Sequence, residues 1–155
     1  FIVRWPGVVE ANTVSHELVS QIDIMGTIAS IVGYELPNKA AEDSHDLLPL
    51  LRGKSEQSGR ETLVHRTWRI PWGIRHEDWV YINAPTGSVQ NEPEWRGYPP
   101  NPHEDWLNNI REDRGQHENI VSEYPERAKL LRTKLKAIRE SSSTAPRLDL
   151  NADSQ

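Results

Sequence analysis

Ile22-Asp-Ile-Met-Gly-Thr-Ile-Ala-Ser-Ile-Val-Gly33 carries apolar residues at helical spacing, namely Ile24, Met25, Ile28, Ile31 and Val32. Asp23 stands where an N-cap belongs, and Gly33 follows the last periodic residue as a C-cap would. The spacing predicts a short helix whose apolar face needs a floor. Phe1-Ile-Val-Arg-Trp5, ended by Pro6-Gly7, is a continuous apolar run of the kind shown by a strand buried on both faces. Buried strand, loop and buried helix together predict one edge of an α/β layer. A strand buried from residue 1 needs neighbours to pair with, so the chain is expected to be part of a larger protein.

Outward from that helix, 8–15 reads as a surface connection. Leu18 to Ile22 reads as a short strand or loop delivering the chain to Asp23, with a first helical turn as the alternative. An aspartate suits a helix start better than a helix interior, so Asp23 is expected to cap rather than catalyse. Glu35 to Asp43 is a polar loop. Leu47-Leu-Pro-Leu-Leu51 is expected to be a compact turn, because its proline forbids both a central strand and a long helix.

The 155 residues can bury a real core, but 35% hydrophobic and 26% charged residues with 11 Pro and 9 Gly describe a loop-rich chain with a modest one. A net charge of -5 with interspersed signs supplies no basic stripe for a phosphate backbone, which argues against nucleic acid as a partner. No apolar run reaches membrane-spanning length. The absence of Cys excludes disulfides, thiolate metal sites and a cysteine nucleophile within these residues.

Ser55 to Arg60 is polar and reads as a linker to a second subdomain. Thr62 to Thr67, Trp72 to Arg75 and Trp79 to Asn83 are β-rich runs, the last two joined tightly through His76-Glu-Asp78, which predicts an antiparallel meander. The proline-rich 85–102 reads as an insertion loop. A final helix begins at Pro125 and buries Ala128, Leu131, Leu135 and Ile138 along one face. Ser141 onward is polar and expected to be disordered.

In order and spacing, residues 1–7, Ile22-Asp-Ile-Met-Gly-Thr27, Gly33, Leu36-Pro37, Asp43 and Leu47-Leu-Pro-Leu-Leu-Arg-Gly53 resemble the latter half of the type I, formylglycine-dependent sulfatases of the alkaline phosphatase superfamily. Two departures stand out: Gly26 where the family usually has Pro, and Ser44 where Gly is commoner. The meander and Trp106 to Ile110 are similar to the family's C-terminal subdomain and its closing strand. The resemblance implies an α/β fold divided into 1–54, the end of the catalytic α/β domain with its last strand and helix, and 55–140, a C-terminal α+β subdomain with a small antiparallel sheet packed on a helix. Residues 141–155 form the tail.

The resemblance also implies sulfate ester hydrolysis, with formylglycine as nucleophile and calcium as the charge-withdrawing ion. Both are expected in a preceding part of the protein, so no nucleophile and no metal ligand is assigned here. It implies a sulfated small molecule or glycan as ligand, the N-terminal part of the same protein as partner, and a periplasmic or secreted location. From the residues alone no catalytic signature emerges: the six histidines show no zinc spacing on one helix face, and there is no Gly-x-Ser-x-Gly elbow. His65 matches a position where many family members carry a cleft-facing His. The resemblance therefore assigns His65, Arg66 and Trp68 to substrate binding, against the plainer reading of a strand histidine beside a core tryptophan. Arg75 is expected to pair with Glu77 or Asp78. Two other functions stay open: a phosphodiesterase or phosphatase of the same superfamily, and a non-catalytic carbohydrate-binding module. The latter is suggested by six Trp against one Phe, and by whether Trp68, Trp72, Trp79 and Trp95 form a solvent-facing platform.

Overall fold

The computed structural model describes residues 1–37, 39–66, 71–83, 105–141 and 143–145. They fall into two compact units, Phe1–Arg60 with the residues after Ser141, and Glu61–Ser141. The expected insertion loop at 85–102 lies outside the described residues, as do Ser142 and 146–155 of the expected tail.

The first unit is built on α1 (Asp23–Val32) and a single turn, α2 (Leu48–Leu51). Gly33 ends α1 as expected, in the left-handed conformation at φ 68°. Pro49 sits in the first turn of α2, where its missing N–H costs nothing, and Leu47 and Leu48 are buried beside it.

The buried face of α1 reverses the expectation. Asp23, Gly26, Thr27 and Ala29 are buried, whereas Ile24, Met25, Ile28, Ile31 and Val32 are exposed. The cause is a set of directional bonds. Asp23 Oδ1 accepts from the His45 amide at 3.0 Å, the Gly26 amide donates to Ser44 Oγ at 2.7 Å, and Thr27 Oγ1 accepts from the Leu47 amide at 3.0 Å. Positions 23, 26 and 27 share one helix face, so that face stitches 44–47 to the helix. Phe1–Trp5 does not form the expected strand, and Phe1 and Ile2 are exposed. A strand needs a partner ladder, and no described residue of this unit is in a strand. Leu18 to Ile22 forms no strand: Leu18 to Ser20 is loop, as one reading has it, and Gln21 and Ile22 turn into α1.

Asp23 is the first helical residue and makes no side-chain cap. Its fully buried carboxylate is ion-paired to Arg60, and Oδ2 also accepts from the Ser20 amide at 2.8 Å. Arg60 further donates to the Asp43 carbonyl at 2.7 Å. The 55–60 stretch is therefore tied down at its end: Ser58 is buried and its amide donates to Glu17 Oε2 at 2.9 Å. After Ser141, Thr144 bonds to Asp43 through both its amide and its hydroxyl, and the amides of Thr144 and Ala145 donate to the Glu42 carbonyl. Those residues are held by hydrogen bonds that a polar composition does not reveal.

The second unit is a four-stranded antiparallel meander with strands in sequence order: β1 (Thr62–Arg66), β2 (Trp72–His76), β3 (Trp79–Asn83) and β4 (Trp106–Asn109). Helix α3 (Pro125–Glu140) packs on one face. Its core is Ile74, Tyr81, Leu107, Ala128, Leu131 and Leu135, with Ile138 against it, as the helical spacing predicts. Each large aliphatic side chain buried there contributes about 1.5–3 kcal/mol. The β2–β3 hairpin turns through Glu77 and Asp78, and Glu77 takes φ 56°, a conformation that glycine adopts more cheaply. Arg75 donates to the Glu77 carbonyl at 3.0 Å rather than to a carboxylate, because the tight turn brings that carbonyl back over β2. Asn119 closes the β4 edge, accepting from the Leu107 and Val121 amides and donating to the Asp105 carbonyl.

Candidate functional site

β1 is an edge strand, and strand alternation sends its successive side chains to opposite faces. Val64 and Arg66 share the face that carries α3: Val64 joins the core, and the Arg66 guanidinium lies 5.2 Å from the Trp72 ring centroid. Arg139 of α3 reaches the same indole at 4.9 Å. Two cation–π contacts thus converge on one tryptophan, each worth about 0.5–1 kcal/mol at an exposed site.

His65 points to the other face. The register pairs His65 with Gly73, Gly73 with Ile82, and Ile82 with Trp106, so these four residues form one row across the whole sheet. The imidazole rests on Gly73. Loss of water on that side lowers the His65 pKa from its usual 6.5, although the residue as a whole stays exposed.

The structure therefore does not bring His65 and Arg66 together on one surface. They flank a single strand edge, one on each side. Trp68 lies outside the described residues, as does Trp95. Trp72 and Trp79 are half-buried against the α3-side core, and Trp79 also meets the Tyr124 ring edge-on with Arg127 over it. They flank the core rather than forming a bare stacking platform. Gly73 was not singled out from sequence; an isolated glycine inside a strand pattern is the signal that marks a close approach there.

Asp23 and Arg60, the most deeply buried charged pair described, use their polar atoms on one another and on backbone groups, so Asp23 is a structural carboxylate. Among the described residues no three His, Asp or Glu side chains come together as a metal-binding group. No helix among them is long and apolar enough to cross a membrane.

No family model matches the chain. Individual relatives do. N-acetylgalactosamine-6-O-sulfatase of Bacteroides thetaiotaomicron is 30% identical over 142 residues, which is 90% of this chain and 27% of that protein. Steryl-sulfatase of Homo sapiens is 44% identical over 64 residues, 41% of this chain and 11% of that protein. A solved structure from work on glycosaminoglycan metabolism by Bacteroides thetaiotaomicron superposes with a TM-score of 0.73 at 28% identity, covering 90% of this chain and 28% of that one. Another, solved with its substrate D-glucosamine-2-N,6-O-disulfate, gives a TM-score of 0.66 at 18% identity over 91% of this chain and 28% of that one, a likeness of fold alone.

The chain is a sulfatase homologue, and the part of the sulfatase fold that it matches is the C-terminal region. Its alignment with the Bacteroides N-acetylgalactosamine-6-O-sulfatase runs through both units, while it spans only 11% to 27% of the length of these two relatives.

Proposed function

We propose that this chain is the C-terminal portion of a sulfuric ester hydrolase acting on a sulfated carbohydrate, with the nucleophile and its ion supplied by a preceding part of the protein. The observation that carries the reading is the alignment of nine-tenths of the chain with a sulfatase named for a sulfated amino sugar. In this reading the nucleophile is formylglycine and the ion is calcium, and these residues wall the substrate cleft. His65 donates a hydrogen bond through a ring N–H beside the sulfate ester. Arg66, across the strand edge, or Trp68 holds a second anionic group or the sugar ring. A ligand lying over the edge of β1 can meet both faces.

The test is sulfate release from 6-O-sulfated N-acetylgalactosamine by the native-length protein and by residues 1–155 alone. Release by the first and not by the second is the expected result. Hydrolysis by residues 1–155 would overturn the assignment of the chemistry to a preceding part. Absence of any sulfatase activity in the native-length protein, with sugar binding retained, would favour the carbohydrate-binding alternative.

A further inference from the structure

The backbone of Gly73 sits in ordinary extended strand geometry, so nothing in its torsion angles demands glycine. Glycine weakens a strand interior, and an alanine would suit the backbone better. Space is what keeps the position bare. A β-carbon on residue 73 would fall inside contact distance of Nε2 and Cε1 of the His65 imidazole, and 3.0 Å from its Cδ2. The ring is a rigid plane that moves only by changing χ1 or χ2, so it cannot yield as a lysine tip would. Among the described residues no hydrogen bond holds the imidazole, which leaves its seat on β2 as the feature that sets its height over the sheet.

From this contact we infer that Gly73 is a positioning residue for His65: by lacking a β-carbon it lets the imidazole lie down on the sheet instead of swinging out from the edge strand. The inference rests on the proposed substrate-facing role of His65. Its consequence for binding follows from the row His65, Gly73, Ile82, Trp106, which runs straight across the sheet from that edge. An imidazole seated in this row keeps one flank shielded by β2. A displaced one is hydrated on both sides, titrates nearer 6.5 and no longer presents its N–H from a fixed place.

The experiment is a double-mutant cycle in the native-length protein with His65→Ala, Gly73→Ala and the pair. The readouts are the His65 titration midpoint by proton NMR and the steady-state constants on 6-O-sulfated N-acetylgalactosamine. Gly73→Ala is expected to raise the midpoint towards 6.5 and to raise KM by about the same factor as His65→Ala. That factor is on the order of tenfold for a lost hydrogen bond to an anionic group. In the His65→Ala background Gly73→Ala should add nothing. An unmoved midpoint, or an equal KM penalty in both backgrounds, overturns the inference. A moved midpoint beside an unchanged KM for His65→Ala upholds the positioning and removes the substrate-facing role. Should Gly73→Ala alone fail to fold, normal folding of the double variant supports the steric argument, and failure of both overturns it.

Discussion

The amide of Gly26 donates a 2.7 Å hydrogen bond to Ser44 Oγ, and the same hydroxyl lies 2.9 Å from where a β-carbon on residue 26 would sit. Both positions depart from the sulfatase pattern that the sequence resembles, with Gly for Pro and Ser for Gly. The departures are two halves of one contact. A proline at 26 has no N–H to offer and carries a ring into the hydroxyl, whereas glycine leaves both the donor and the room.

The two sites should therefore be coupled. Gly26→Pro is expected to cost about 3 kcal/mol, and Ser44→Gly about 1 kcal/mol for the lost buried hydrogen bond. Together they should cost less than the sum, by roughly 0.5–3 kcal/mol. Urea denaturation of the four chains measures this, and strict additivity would sink the idea.

Asp23 and Arg60 are 37 residues apart in sequence, yet their side chains are almost wholly buried against each other. Removing one partner leaves an uncompensated buried charge, so Arg60→Met is expected to destabilise the first unit by about 3–5 kcal/mol. Asp23→Leu with Arg60→Met should recover much of that loss. Thermal melts of the two variants against the parent decide it.

The Tyr81 hydroxyl donates to Asp105 Oδ2 at 2.6 Å and accepts from Arg132 Nε at 2.9 Å. Burial, then the hydrogen bond to Asp105, raises its pKa above the usual 10.0. A phenol whose folded pKa is raised contributes stability that is complete below 10 and lost as pH climbs through the folded value. Tyr81→Phe is expected to cost about 1–2 kcal/mol at neutral pH and to weaken the alkaline loss. Tyrosinate absorbance, followed alongside unfolding, should show Tyr81 ionising above the usual 10.0.

The row Ile24, Met25, Ile28 and Ile31 contributes little to the stability of the isolated chain, since these side chains stay exposed. Ile28→Lys is accordingly expected to change unfolding free energy by less than about 0.5 kcal/mol. It should nonetheless reduce self-association or binding of an apolar dye, because contiguous exposed apolar surface is what drives both. A large loss of stability would mean that this face is buried after all.

The second unit was largely legible beforehand because its signals are local. Pro125 opens α3 and the Ala128, Leu131, Leu135 spacing names its buried face. Short β-rich runs around His76-Glu-Asp78 define a hairpin even though Glu77 must take a glycine-like φ to close it. At the candidate site the strand is legible in the sequence, and the pleat separates the sequence neighbours His65 and Arg66 onto opposite faces. The meaning of Gly73 is not legible in the sequence, because it depends on a ring that arrives from another strand.

By itself the sequence determined which segments are helix and which are strand in the meander, where α1 and α3 stop and start, and the likeness to sulfatases that relatives then bore out. Only the tertiary structure decided which face of α1 is inside. Hydrophobic periodicity measures how apolar a face is, not whether a neighbour offers amides and a guanidinium to the opposite one. At Asp23, Gly26 and Thr27 the directional bonds to His45, Ser44, Leu47 and Arg60 took that face, because buried polar groups must be paired while exposed isoleucines carry no such obligation.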